Sequence, residues 1–162
     1  MIELVRWSAG DHDLLERLLN DPAMMEHLNG PETPEEIAAR QARYERDDGI
    51  YKIVVDKEPA GSVVWWEREW EGDSVYEIGW SVLPAFQGRG VASHATAAAL
   101  ELAARAVAHR FVHAFPKLEN AASNAICRKV GFELLGPVDF EYPPGTPIRC
   151  NDWRFDLYTL SA

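Results

Sequence analysis

The sequence predicts a mixed α/β fold, with a mostly antiparallel sheet of about seven strands flanked by about four helices. The 162-residue chain has the length of one ordinary domain, and its 47% hydrophobic and 26% charged residues are typical of a globular protein. Apolar segments switch between strand and helix periods in the order β-α-α-β-β-β-α-β-α-β-β. Two pairs of neighbouring strands are joined by turns short enough for antiparallel hairpins. We therefore predict a single domain over residues 1–162.

The N-terminal part predicts one strand and two helices. Alternation over Ile2 to Trp7 indicates a strand, and the leucines after it fall at helical spacing. A short turn over Ala23 to Leu28 stops at Asn29-Gly30-Pro31. The second helix begins after Thr33-Pro34-Glu35-Glu36, which supplies an N-cap, a proline at the first helical position and a capping-box glutamate, and it runs to about Arg46.

The rest of the chain supplies two hairpins, two helices and three further strands. Tyr51 to Asp56 and Gly61 to Trp66 pair through Lys57-Glu58-Pro59-Ala60, and a turn at Glu71-Gly72-Asp73 leads into the strand Tyr76 to Leu83. Small residues at helical spacing then indicate a helix that lies close to the sheet. The last predicted elements are a strand from Arg110 to Phe115, a helix from Asn120 to Val130, and paired strands from Phe132 to Phe140 and from Cys150 to Leu160.

Composition and charge exclude several functions. A net charge of −10 argues against a nucleic-acid partner, because such proteins carry basic patches, and it favours either cationic partners or simply solubility. No apolar run approaches the roughly 18 residues that span a bilayer, and no signal-peptide pattern is present, so we expect a cytoplasmic protein without a membrane partner. Cys127 and Cys150 are expected to be free thiols. We predict no metal site, because His109 and His113 lack clustered ligands nearby.

The most informative segment is the turn Gln87-Gly88-Arg89-Gly90-Val91-Ala92, between an apolar strand and an alanine-rich helix. Its glycines expose backbone N–H groups that the helix cannot satisfy, and the helix dipole adds positive charge there. Such a turn suits a phosphate or pyrophosphate group. Rival phosphate motifs fit less well, because the third glycine of a dinucleotide fingerprint and a G-K-S/T ending are missing. We therefore predict a phosphate-bearing cofactor at this turn.

Two motifs resemble those of the GNAT superfamily, the acetyl-coenzyme A-dependent N-acetyltransferases. Gln87, Gly90 and Ala92 match the family signature Q/R-x-x-G-x-G/A at the same place in the element order. Downstream, Asn120-Ala121-Ala122-Ser123-Asn124 and Lys129-Val130-Gly131-Phe132 resemble the N-x-x-S and K-x-G-F patterns of the same fold. These are closest to the branch that acetylates N-terminal amines of ribosomal proteins.

The resemblance implies acetyl-CoA as the acyl donor and assigns residues that would hold it. The glycine turn would bind the pyrophosphate, and the pantetheine arm would lie along the fourth strand, using the backbone near Val82. Asn120 would reach the cofactor arm and also suits an N-cap. The implied cofactor-binding residues are Ser81, Val82, Leu83, Gln87, Gly88, Arg89, Gly90, Val91, Ala92, Asn120, Ser123 and Asn124.

Glu77 is the leading candidate for the base that removes a proton from the acceptor amine. Strand alternation places Glu77, Gly79 and Ser81 on one face and the apolar residues on the other. A glycine within a strand suits close approach of a ligand. The alternative role of Glu77 is that of a solvated residue on an exposed face.

The residue that would donate a proton to the leaving thiolate differs from the common family pattern. Many members place a tyrosine seven residues after the asparagine, and that position here is Cys127. In the branch that the chain most resembles, the serine matching Ser123 is the proposed donor. We therefore prefer Ser123 and keep Cys127, Tyr142 and Tyr158 as alternatives.

The acceptor is the least determined part of the prediction. Aromatic and acidic residues around Trp66 and Glu67 could bind a cationic amine through cation–π and ionic contacts, or the tryptophans belong to the core or to a homodimer surface. Tyr142 and Trp153, with Asp152, are further candidates by family analogy. A protein N-terminus or a small cationic amine would fit as acceptor. The alternatives are transfer of a longer acyl group, or a CoA-binding sensor that has lost turnover.

Overall fold

The computed structural model describes residues 1–27, 30–142 and 144–160. Its strands and helices follow the predicted order, and the α/β fold class is confirmed. The predicted turn end at Leu28, the stop at Asn29 and the predicted proline loop at Pro143 lie partly outside the described residues. The strands are β1 (Ile2–Arg6), β2 (Ile50–Val55), β3 (Glu58–Trp70), β4 (Asp73–Val82), β5 (Phe111–Ala114), β6 (Glu133–Glu141) and β7 (Pro147–Asp156), and the helices are α1 (His12–Leu19), α2 (Pro34–Arg46), α3 (Val91–Ala106) and α4 (Ala121–Val130).

The sheet has seven strands in the order β1-β2-β3-β4-β5-β7-β6. All neighbours are antiparallel except β4 and β5, which run parallel. The last strand of the chain, β7, lies between β5 and β6. The two final strands therefore pair as predicted, but a hairpin alone does not show which of its strands will lie next to β5.

Several predicted strand boundaries are wrong. Strand β4 begins at Asp73 and not at Tyr76, and β7 begins at Pro147 and not at Cys150. The first hairpin turns at Asp56 and Lys57, both with positive φ (48° and 70°), so β3 begins at Glu58 and extends to Trp70. A two-residue turn of this kind matches the twist of paired strands better than a four-residue one. The final strand ends at Asp156 and not at Leu160, because the Asp156 side chain accepts the Tyr158 N–H and starts a 3-10 turn.

Helix α2 begins where its sequence signal predicts. The Thr33 side chain accepts the Glu36 N–H at 3.2 Å, and the Glu36 carboxylate accepts the Thr33 N–H at 3.0 Å. This reciprocal capping box satisfies two backbone donors that the helix leaves open.

The helices α3 and α4 pack on one face of the sheet. Asn124 of α4 binds Asn151 and Trp153 of β7, which therefore belong to this covered face. On α3, Ala95 and Ala99 are fully buried against the sheet. Side chains alternate along a strand, so Asp152 of β7 and Glu77 of β4 point to the opposite face.

Candidate active site

The parallel strands β4 and β5 diverge in the middle of the sheet. Within the described residues they pair only at Tyr76–Val112 and Glu77–His113, while β4 continues to Val82 with β3 as its neighbour. The second half of β4 therefore has one open edge, which offers backbone groups to an extended ligand.

Hydrogen bonding to β3 decides which backbone groups point into this opening. The Leu83 N–H donates to the Ala60 carbonyl at 2.8 Å, so Leu83 and, by alternation, Ser81 direct their backbone groups toward β3. The predicted use of their backbone groups therefore needs correction. The backbone groups of Trp80 and Val82 face the opening. The Val82 carbonyl already accepts a hydrogen bond from Gln87 Nε2 at 2.8 Å.

The glycine turn opens at the N-terminus of α3. Gly88 and Gly90 adopt left-handed backbone angles (φ 74° and 75°), and Gly90 caps the helix without any side-chain hydrogen bond. The first bond within the helix runs from the His94 N–H to the Gly90 carbonyl, at 3.1 Å. The N–H groups of Val91, Ala92 and Ser93 thus have no partner inside the helix and remain available to an anion.

The surroundings of the turn fit a phosphate-bearing ligand. A Cβ built at Gly88 would meet no atom within 4 Å in the described structure, so this side of the turn is open. The ammonium of Lys129 lies 3.9 Å from the position of a Cβ on Gly90, which adds a cation beside the free N–H groups. Arg89, by contrast, donates to the Ala85 carbonyl at 3.3 Å and lies over the Phe86 ring.

Glu77 lies at the point where β4 and β5 separate. Its carboxylate accepts a hydrogen bond from Arg68 Nη1 at 2.6 Å, and its side chain is only 13% exposed. Burial raises the pKa of Glu77, and the positive charge of Arg68 offsets this in part. A carboxylate with a raised pKa is suited to take up a proton near neutral pH.

His113 and Asp152 form a buried pair beside Glu77. His113 is the β5 neighbour of Glu77, and its Nδ1 lies 2.6 Å from Asp152 Oδ1. The other Asp152 oxygen accepts the Trp70 Nε1–H at 3.1 Å. Asp152, 2% exposed, therefore orients His113 from behind and does not line the opening as the sequence suggested.

Asn120 and Asn124 have different roles in α4. Asn120 Oδ1 accepts the Ser123 N–H at 3.2 Å and caps the helix, as predicted. Asn124 donates to the carbonyls of Lys117 and Asn120 and accepts from Asn151 and Trp153, at 2.8–3.0 Å. All its strong hydrogen-bonding positions are used inside the protein, so the predicted cofactor contact of Asn124 gives way to a structural one.

The two predicted proton donors differ in exposure. Cys127 is 0% exposed, and burial raises the pKa of its thiol to about 12. Ser123 is half-buried in the first turn of α4, and its hydroxyl has no hydrogen-bond partner among the described residues. Access therefore favours Ser123. The reserve candidate Tyr158 is 61% exposed and lies against Arg110, before the start of β5.

The predicted substrate-binding residues lie in three places. Trp66 is 42% exposed on the Glu77 face, and its ring lies beside Gly79. Tyr142 follows β6, near Arg40 of α2. Glu67 points to the opposite face, where it lies 3.2 Å from His109, and Trp153 is buried against Asn124. Trp66 and Tyr142 thus remain candidates, while Glu67 and Trp153 are separated from Glu77 by the sheet.

The sequence analysis did not identify Arg68, His113 and Lys129 as residues of the site. The signal for Arg68 was present, because Trp66, Arg68 and Trp70 alternate along β3 and share the face of Glu77. His113 is brought beside Glu77 only by the parallel pairing of β4 with β5, and Lys129 reaches the turn only because α4 packs beside α3.

Solved structures place the fold among the acetyltransferases. A GNAT-family acetyltransferase from Bacillus anthracis matches with a TM-score of 0.81 and 19% identity, over 97% of this chain and 95% of that one. A Salmonella typhimurium acetyltransferase that modifies the N-terminal serine of ribosomal protein L7/L12 gives 0.79 and 23%, over 96% and 94%. Aminoglycoside acetyltransferase AAC(6')-Ib in complex with coenzyme A gives 0.79 and 18%, over 99% of both chains.

A family model that covers most of the sequence identifies the family. The family model for the acetyltransferase (GNAT) domain matches residues 2–133, which is most of the chain. The chain belongs to the GNAT acetyltransferase family, and the resemblance found in its motifs is confirmed. No curated protein sequence matches the chain significantly. Among the described residues, no helix is long and apolar enough to cross a membrane.

Proposed function

We propose that the chain transfers an acetyl group from acetyl-CoA to a primary amine by direct attack, with Glu77 as the base. The observation that carries the proposal is the position of the largely buried Glu77 at the end of the gap that begins at the glycine turn of α3. The coenzyme A complex of the aminoglycoside acetyltransferase of the same fold supports this choice of donor. A cytoplasmic location and a homodimer stay predictions.

Each part of the site has a task in this chemistry. Acetyl-CoA supplies an activated acetyl thioester. The N–H groups of Val91, Ala92 and Ser93, with Lys129, would hold the pyrophosphate, and the open edge of β4 would align the pantetheine arm. Glu77 would take a proton from the amine nitrogen, and the Ser123 hydroxyl would give one to the departing sulfur.

The cofactor part of the proposal is tested by substituting Gly90. Saturating CoA is expected to raise the melting temperature of the native chain by roughly 5–10 °C, because a ligand at about 100 times its Kd stabilises the folded state by about 2.7 kcal/mol. Gly90→Asp is expected to weaken CoA binding by about 30-fold or more, since its carboxylate would repel the pyrophosphate. Both effects are measured by thermal unfolding and calorimetric titration.

Gly72→Asp is the matched control for this experiment. Gly72 has a similar φ of 86° in a hairpin turn, and a Cβ there meets no described atom within 4 Å. The CoA affinity of Gly72→Asp is expected to equal that of the unsubstituted chain.

The same measurements separate the alternative functions. Failure of CoA to stabilise the unsubstituted chain would contradict both the enzyme and the CoA-binding sensor. Binding without thiol release from any amine would favour the sensor, and faster release from a longer acyl-CoA would favour the acyl alternative.

The proton donor is tested by a pair of substitutions in α4. Ser123→Ala is expected to lower kcat by about 100-fold, the lower end of general acid catalysis. Cys127→Ala is expected to change kcat less than about 3-fold, because the thiol is fully buried. Thiol release under saturating acetyl-CoA measures both. The reverse ranking of the two variants would transfer the donor role to Cys127.

A further inference from the structure

Arg68 lies within a cluster of three aromatic rings beside Glu77. The centre of its guanidinium lies 5.3 Å from the Trp70 ring, 5.6 Å from the Phe115 ring and 4.9 Å from the Phe140 ring. The rings of Phe115 and Phe140 stack at 4.6 Å, and Trp70 packs edge-on against Phe115 at 4.7 Å. Rings in this arrangement form a site for a cation, and here a side chain of the protein itself fills it.

Part of the Arg68 guanidinium remains open to a ligand. Nη1 donates to Glu77 at 2.6 Å and Nε to the Glu69 carbonyl at 3.3 Å. Among the described residues, Nη2 has no hydrogen-bond partner, and the side chain is 29% exposed. The two N–H donors of Nη2 are thus available on a partly exposed side chain that contacts the candidate base.

The charge arrangement disfavours an acceptor that carries further positive charges. A polyamine or an aminoglycoside would bring further positive charges next to Arg68, which already occupies the aromatic rings and the ion pair with Glu77. A positive charge also disfavours the protonated form of a nearby amine, and the amine must be neutral to attack. At pH 7.5 an α-amine is neutral roughly 200-fold more often than an alkylamine like that of lysine.

The spacing of the two charged groups suits one kind of acceptor. Glu77 Oε1 and Arg68 Nη1 are 2.6 Å apart, so a ligand that meets both groups needs a hydrogen-bond donor and an acceptor close together. In an α-amino acyl compound the amine nitrogen and the carbonyl oxygen are separated by about 3 Å. The amine would donate to Glu77 while the oxygen accepts from Arg68.

We propose that Arg68 determines acceptor specificity by binding the carbonyl or carboxylate oxygen on the carbon next to the reacting amine. The preferred acceptors are then α-amino acyl compounds, such as peptide N-termini and amino-acid amides, and not polyamines or aminoglycosides. This inference rests on the proposed function, because it assigns the acceptor of the same site.

The test compares two amines that differ only in the oxygen-bearing group. L-leucinamide and 1,3-dimethylbutylamine share a carbon skeleton, but only the first has a carboxamide next to the amine. Arg68→Gln is expected to lower the ratio of their kcat/KM values by about 10- to 100-fold, the loss of one charged hydrogen bond. The ratio cancels any effect of the substitution on Glu77 that both amines share. Arg149→Gln, at an exposed arginine of β7, is the control and is expected to leave the ratio unchanged.

Two further measurements distinguish a failure of the Arg68 role from a failure of the proposed function. Arg68→Lys keeps the positive charge if the glutamine variant does not fold, and it is expected to lower the ratio less. Calorimetric titration with N-acetyl-L-leucinamide, expected to bind about 10-fold more weakly to Arg68→Gln, needs no turnover. Absence of thiol release with every amine, together with Arg68-dependent binding of this compound, would contradict the proposed function alone. An unchanged ratio or unchanged binding, or a higher kcat/KM of the unsubstituted chain for spermidine than for L-leucinamide, would overturn the role of Arg68.

Discussion

Glu77→Gln is expected to lower kcat by about 100- to 10,000-fold at neutral pH, the range of general base catalysis. Glutamine keeps the shape of the side chain and can still accept a hydrogen bond from Arg68, but it cannot take up a proton. The loss should appear in kcat and kcat/KM to a similar degree, because the proton transfer belongs to the transition state. Thiol release at saturating acetyl-CoA measures it.

The pH profile of the same variant identifies the group. Burial raises the pKa of Glu77, so the carboxylate form required of a base is lost as pH falls through that raised value. The rate of the unsubstituted chain should therefore decline on the acid side at a higher pH than for an exposed glutamate. Glu77→Gln should lack this limb, and its deficit should shrink at high pH, where the amine is already neutral.

Glu69→Gln is the control for both experiments. Glu69 is an exposed carboxylate on the same hairpin, and among the described residues its side chain binds Ser74 and no group of the candidate site. Its rate and its pH profile are expected to match those of the unsubstituted chain. A Glu77→Gln variant with an unchanged acid limb would show that another group, His113 being the nearest, carries the proton.

Asn124→Leu is expected to have the largest effect on stability, lowering the free energy of unfolding by about 2–5 kcal/mol. The substitution removes the acceptor of the Trp153 and Asn151 side chains and the donor to two carbonyls. Trp153 is 2% exposed, so water cannot replace the lost bond, and an unsatisfied buried donor costs about 1–3 kcal/mol. Urea unfolding followed by tryptophan fluorescence measures the change.

Asn120→Ala separates this effect from the loss of a helix cap. Asn120 makes one capping bond to the Ser123 N–H, so its loss is expected to cost about 1 kcal/mol. The difference between the two variants then reports the cross-link between α4 and β7. A loss below about 1 kcal/mol for Asn124→Leu would show that the cross-link adds little and would reopen a cofactor role for Asn124.

Local signals predicted most of the fold. The capping box at Thr33, the glycine stop after α4 and the positive-φ glycines at 88 and 90 each depend on a few neighbouring residues. Strand alternation likewise placed Glu77 on the face opposite Tyr76, because side chains in a strand alternate whatever the strand pairs with. The element order and the phosphate-binding turn were therefore predictable.

The roles of single side chains were less predictable. Asn124 and Cys127 lie within motifs that resemble those of the family, yet one is saturated by protein partners and the other is fully buried. Arg68 lies outside the motifs and contacts Phe140, more than seventy residues away in the chain. Such contacts depend on how strands and helices are brought together, which residue spacing does not encode.

The sequence by itself determined the secondary-structure order, the glycine turn at the start of α3 and the family. Tertiary structure alone decided that β5 runs parallel to β4 and separates from it after Glu77, and that β7 lies between β5 and β6. That arrangement brings His113 of β5 and Asp152 of β7 beside Glu77, whereas Arg68 reaches Glu77 from β3 across the hairpin. The physical reason is distance along the chain. Caps, turns and alternation are set by neighbouring residues, whereas a buried contact such as that between His113 and Asp152 forms only when distant strands pack together.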